Sequence, residues 1–151
     1  MKKFLTRIAI LAIFLVIPAH LLKAEGEGWT TDYQKALQSA KAEKKLVVLN
    51  FTGSDWCEWC IRLQKEVFSQ PKFKEYAAKN LVLVEVDFPI GKTLPAQVSK
   101  QNEGLLAKFD GDQIFPTIIV LNSDGKKVGE LNYVPGGPDA FLAELKKLPK
   151  S

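Results

Sequence analysis

Histidine is almost absent from this 151-residue chain: its one imidazole is His20. That residue lies in an apolar N-terminal stretch read below as a leader. Once the leader is removed no imidazole is left. This excludes Ser-His-Asp and Cys-His nucleophile arrangements and takes away the commonest metal ligand. Cysteine is nearly as scarce, with Cys57 and Cys60 alone. Two thiolates make a poor zinc site, because structural zinc takes four ligands. Attachment of a c-type haem needs a histidine directly after the second cysteine, and Ile61 stands there. Nothing points to a metal or a bound organic cofactor. Elimination leaves redox chemistry or structure for the cysteine pair. Internal repeats and low-complexity tracts are also lacking.

The first 24 residues read as a secretory signal peptide. Met1, Lys2, Lys3 and Arg7 form a basic start, and residues 8–17 are an uninterrupted apolar run. A membrane-spanning helix needs about 20 apolar residues, so this run is short, as signal peptides are. Ala24 is the expected last residue of the leader, and residues 25–151 the mature domain. An uncleaved anchor is the competing reading, since Leu22 is bulky for a cleavage site. The formal charge of +4 resides in this segment: Lys2, Lys3, Arg7 and Lys23 lie there with no acid, which leaves 17 basic and 17 acidic residues beyond it. A neutral domain lacks the clustered Lys and Arg of a nucleic-acid footprint. Nucleic acid is disfavoured as a partner, and the membrane is met only through the leader.

The remaining length suits one domain with one core. Thr31 or Asp32 can cap a first helix carrying Tyr33, Ala36, Leu37 and Ala40. Residues 46–51 (Leu-Val-Val-Leu-Asn-Phe) read as a strand covered on both faces. A loop with Gly53 leads to a helix over residues 57–68, with Ile61, Leu63, Val67 and Phe68 for its buried side. Pro71 opens another helix. A second buried strand spans residues 81–86, and residues 88–99 form the longest irregular piece. A short helix is expected over residues 101–109. Strands over residues 117–121 and 126–133, joined by the turn Asn122-Ser-Asp-Gly125, form a hairpin. Asp139 then caps a final helix bearing Phe141, Leu142, Leu145 and Leu148. Strand–helix alternation implies parallel pairing, and the hairpin adds an antiparallel edge. The fold class is α/β, with a mixed central sheet flanked by helices.

Trp56-Cys57-Glu58-Trp59-Cys60 falls where the first buried strand gives way to a helix. A spacing of three puts both sulfurs on one face of the first turn, close enough for a disulfide. Cys57 would sit at the positive helix end, where free backbone N–H groups stabilise a thiolate. It is the expected nucleophile, and Cys60, buried one turn in, acts second. A permanent structural bridge is the alternative, but so small a loop constrains the unfolded chain little.

The run Val47-Val-Leu-Asn-Phe-Thr-Gly-Ser-Asp-Trp-Cys-Glu-Trp-Cys60 resembles the active-site strand and loop of thioredoxin-fold proteins. Arg62-Leu-Gln-Lys-Glu-Val-Phe-Ser-Gln-Pro71 is similar to the exported, DsbH-like branch with a Trp-Cys-x-Trp-Cys site. The resemblance covers most of residues 29–148. It implies a thioredoxin fold with a four- or five-stranded sheet, and disulfide reductase activity. It also implies a cis peptide at Phe115-Pro116, with both residues meeting the substrate backbone beside Cys57. Trp56 is expected to pack the loop and Trp59 to offer apolar surface to substrate. Two departures from the family stand out. Asn50 takes the place of a buried aspartate, so Cys60 needs water or a carboxylate such as Glu58 to accept its proton. Glu58-Trp59 replaces Gly-Pro between the cysteines, and the charges of Glu58 and Asp55 oppose a thiolate at Cys57. That tuning points to a reducing couple.

The leading expectation is a monomeric periplasmic reductase of disulfide-bonded exported proteins, fed by an inner-membrane thiol donor. A disulfide oxidase or isomerase stays open, as does a non-catalytic thioredoxin-fold binding module.

Overall fold

The computed structural model describes residues 28–109 and 114–149. The leader over residues 1–24, with His20, lies outside them. Five strands form one mixed sheet in the order β1-β3-β2-β4-β5. They are β1 (Trp29–Thr30), β2 (Leu46–Thr52), β3 (Leu81–Asp87), β4 (Thr117–Leu121) and β5 (Lys127–Leu131). β3 runs parallel to both β1 and β2, whereas β4 is antiparallel to β2 and β5. The helices are α1 (Tyr33–Glu43), α2 (Glu58–Leu63), α3 (Pro71–Asn80), α4 (Ala96–Phe109) and α5 (Gly137–Lys147). A π-helical turn, Gln64–Phe68, continues α2. Among the described residues no helix is long and apolar enough to cross a membrane.

Alternation along β2 and β3 divides the core. Val47, Leu49, Phe51, Val84 and Val86 pack with α1 residues Tyr33, Ala36 and Ala40. Leu46, Val48, Leu81 and Leu83 face the other way, toward Leu63, Val67, Phe73 and Phe141. On this second face the apolar pattern stops halfway. Asn50 and Thr52 continue it on β2, and in-register Glu85 and Asp87 continue it on β3. The polar half lies at the C-terminal ends of the parallel strands, beneath the start of α2.

The sheet has the upper of the two expected strand counts. Its additional edge strand, β1, is two residues long, too short for a period of two to show. Four local expectations need correction. α4 begins at Ala96, five residues before the expected start, so the irregular segment ends at Pro95, whose carbonyl accepts the Ser99 N–H. Ile61 is 48% exposed, because Cys60, Leu63 and Val67 take the inward positions and Ile61 lies about 100° round the helix from Cys60. β5 ends at Leu131 rather than at residue 133. Asp139 does not cap α5: Gly136 is the N-cap, and Gly136 and Gly137, at φ 112° and 68°, turn the chain into the helix earlier. Asp139 falls in the first turn, where a negative charge suits the helix dipole, and pairs with Lys72.

Candidate active site

β2 ends at Thr52, and the chain turns tightly before α2. The N–H groups of Trp56 and Cys57 both bond the Gly53 carbonyl, at 3.3 and 2.9 Å. Gly53 has no room for a side chain, since a Cβ there would fall inside the Trp56 indole. The turn delivers Cys57 as the N-cap of α2, in an extended conformation at φ −86° and ψ 105°. Its sulfur accepts the Cys60 N–H at 3.2 Å. This is the geometry by which a helix N-terminus lowers the energy of a thiolate. Cys57 and Cys60 are joined as a disulfide with their Cα atoms 5.2 Å apart. Both are buried in this oxidised state, Cys57 at 7% exposure and Cys60 at 4%.

Trp56 and Trp59 flank the pair with about half their surface exposed. Trp56 packs on Gly53 and donates its indole N–H to the Phe88 carbonyl at 2.7 Å. Its ring lies 6.0 Å from that of Phe115, which stacks on Phe88 at 5.4 Å. The Phe115-Pro116 peptide is cis. Pro116 is buried and Phe115 half-buried, at the sheet end where Phe51 pairs with Thr117. Trp59 turns to the opposite side. Its ring contacts Tyr133 at 5.2 Å, and the Arg62 guanidinium sits over both rings. Glu66 ties this group together by accepting the Tyr133 hydroxyl at 2.6 Å and Arg62 Nε at 2.8 Å. Those two bonds hold the Glu66 carboxyl below its ordinary range, and the same carboxylate raises the Tyr133 phenol.

Glu58 occupies the exposed first turn of α2. The Asp55 carboxylate accepts the N–H groups of Ile90 and Gly91, at 3.0 and 2.6 Å, and these bonds lower its pKa. Asp55 thus anchors the 88–92 segment. Asn50 is buried beneath α2, and its Oδ1 has no hydrogen-bond partner among the described residues.

Several residues at the site gave little signal in the sequence. Asp87, 3% exposed, accepts the Ser54 N–H at 2.9 Å and its hydroxyl at 2.7 Å, and pairs with Lys92 at 2.9 Å. Its backbone carbonyl accepts from buried Asn102. The one available hint was a charged residue ending an apolar strand. Arg62 and Glu66 are an i,i+4 helical pair, but Tyr133 joins them only through the fold, 67 positions along the chain from Glu66.

Known proteins are similar to this chain in sequence and in fold. A family model described as "Thioredoxin-like domain" matches residues 33–149. The disulfide bond reductase DsbH of Chlamydia pneumoniae is 35% identical over 114 residues, covering 76% of this chain and 68% of that protein. The thioredoxin-related protein DsbJ of the same organism is 31% identical over 100 residues, which make up 66% of this chain and 28% of that longer protein. A solved structure of a DsbH oxidoreductase superposes with a TM-score of 0.74 at 32% identity, over 84% of this chain and 90% of that one. With the family model matched across nearly all of the folded region, this chain belongs to the thioredoxin-like family.

Proposed function

We propose that this protein is an exported thiol–disulfide oxidoreductase that reduces disulfides of exported proteins through Cys57 and Cys60. One observation carries the chemistry: a helix-capping cysteine whose sulfur faces the Cys60 N–H at 3.2 Å, bridged to a second cysteine one turn in. In the reduced protein the Cys57 thiolate attacks a substrate disulfide, forming a mixed disulfide and expelling one substrate thiolate. Cys60 gives up its proton and attacks the Cys57 sulfur, which releases the second substrate thiolate and closes the Cys57–Cys60 bridge. A dithiol donor then reopens that bridge.

Trp56 and Trp59 adjoin the cysteines in the chain and are about half exposed, Phe115 packs near Trp56, and Pro116 follows Phe115 through a cis peptide. These four residues form the proposed substrate contact. The basic start and short apolar run of residues 1–24 support export to the periplasm with cleavage after Ala24. The similarity to a disulfide bond reductase supports the reducing direction, and an inner-membrane thiol is the proposed electron donor.

Insulin reduction by a chemical dithiol tests the reading. The protein is expected to accelerate it, and Cys57→Ser to abolish the acceleration. Equal inactivity of the two would leave a binding module with a structural bridge. Equilibration with glutathione fixes the direction: a potential near thioredoxin's, about −270 mV, supports a reductase, and one near about −120 mV an oxidase.

A further inference from the structure

A cavity of about 330 Å³ lies behind Cys60, between the polar half of the sheet and the α2 helix with its π-turn extension. Asn50, Cys60, Ile61, Gln64, Lys65 and Glu85 contribute to its wall. Asn50 and Glu85 are direct register partners on β2 and β3, so their side chains leave the sheet on the same face. The two preceding pairs on that face, Leu46 with Leu81 and Val48 with Leu83, are core residues. The polar pair opens the polar half of this face, under the helix that carries Cys60. Glu58 does not line the cavity; it is exposed in the first turn of α2.

The exchange proposed above requires Cys60 to lose a proton inside the protein. Asn50 cannot take it, since a carboxamide does not titrate in this range. A carboxylate that shares a cavity with the thiol can. The cavity has the volume for bridging water and, in a wall that is otherwise mainly apolar, the polar groups to hold it; the unpartnered Asn50 Oδ1 is one acceptor. We infer that Glu85, working across this cavity with Asn50 as a fixed relay point, is the proton acceptor for Cys60 during resolution of the mixed disulfide. The inference rests on the thiol–disulfide reading of the pair. In the step, the Cys60 S–H proton passes to the Glu85 carboxylate. The Cys60 sulfur then bonds Cys57, and the Cys57–substrate bond breaks. The departing substrate thiolate takes its proton from solvent. When a dithiol donor reopens the bridge, protonated Glu85 returns the proton to Cys60.

Charged neighbours shape this titration. Lys65 reaches the cavity from the π-helical turn, Lys92 faces Glu85 from the 88–92 segment, and Asp87 follows on the same strand face. β1, the other strand beside β3, carries no charged residue. The cations favour the carboxylate and Asp87 disfavours it, while partial burial raises a carboxyl toward the thiol. Free Glu and Cys titrate near about 4.3 and 8.5, so coupling between them shows as an inflection between those values.

Rapid mixing of the reduced protein with a model disulfide peptide, followed by acid quench, separates formation of the mixed disulfide from its decay. Glu85→Gln, which keeps the shape, is expected to slow decay about tenfold or more at neutral pH, within the range of general acid–base catalysis. It should also move the inflection of the decay rate up to the ordinary cysteine range. Glu85→Asp should retain the inflection below that range, and Glu75→Gln, at an exposed position of α3, should leave rate and profile unchanged. A structural role for Glu85 would not move the pH profile. Formation, measured in Cys60→Ala with and without Glu85→Gln, should be the same. Wild-type decay and profile in Glu85→Gln would overturn the inference while leaving the redox reading intact. Failure of the wild-type protein to form any mixed disulfide would overturn both.

Discussion

Removal of the Asp87 carboxylate should loosen the active-site loop and cost a measurable part of the fold's stability. The side chain is 3% exposed and accepts three donors: the Ser54 N–H, the Ser54 hydroxyl and Lys92 Nζ. Hydrogen bonds to a charged group contribute about 1.5–3 kcal/mol each. The Lys92 side chain is 53% exposed, and an ion pair so open to water adds at most about 1 kcal/mol. The two Ser54 groups are part-buried and partly recover solvent when the acceptor goes. Asp87→Ala is therefore expected to destabilise the oxidised protein by about 2–4 kcal/mol, a large share of a typical 5–15 kcal/mol. Asp87→Asn keeps an acceptor for the Ser54 N–H and should cost about 1 kcal/mol. Urea unfolding reads both as shifts in midpoint at unchanged slope. Amide exchange at Trp56 and Cys57, whose N–H groups bond Gly53, should quicken in the alanine variant before global unfolding. A loss below about 1 kcal/mol for alanine, or equal losses for alanine and asparagine, would refute this account of how the loop is held.

Three further outcomes follow from the same geometry. Gly53→Ala forces a Cβ into the Trp56 indole; overpacking of this kind costs about 1–3 kcal/mol, and tryptophan fluorescence should report displacement of the ring. The Asp55 carboxyl is depressed by the Ile90 and Gly91 N–H groups, so its folded pKa lies below its unfolded value of 3.8. Its contribution is present above that pH and lost as the pH falls through the folded pKa; exchange protection of Ile90 and Gly91 should fade in that acid window, and Asp55→Asn should remove the pH dependence. The Tyr133 phenol is raised by its bond to Glu66. Stability from that bond is therefore present below about pH 10 and lost as the pH climbs through the raised value. Absorbance titration of Glu66→Gln should return Tyr133 to the ordinary phenol range.

What could be read from the residues alone was whatever repeats within a few positions. The continuous apolar runs of β2 and β3 and the three- and four-residue spacing in α1 declare themselves locally. So does the strand-to-helix placement of Cys57 and Cys60, because each depends on neighbours in the chain. Pro116 needed the family resemblance, since its peptide geometry depends on a loop it does not itself specify. The start of α4 was hidden because Ala96, Gln97 and Val98 follow a Pro- and Gly-containing segment and carry no capping side chain. Ile61 misled because hydrophobicity does not say which side of a helix is inside. Asp87 and Glu85 were hidden for a different reason. A charged residue near a strand end reads as solvated until the partner strand and the covering helix are known. Their roles come from register, with Thr52 opposite Asp87 and Asn50 opposite Glu85. Periodicity within one strand does not supply that pairing.

The most direct test is the titration of the two thiols in the reduced protein, followed by thiolate absorbance and by site-resolved alkylation against pH. The account requires Cys57 to ionise below the roughly 8.5 of a free cysteine and to be alkylated first, with Cys60 reacting later and more slowly. A Cys57 that ionises at or above that value, or a Cys60 that reacts ahead of it, would contradict the assignment of the helix-capping sulfur as the attacking group.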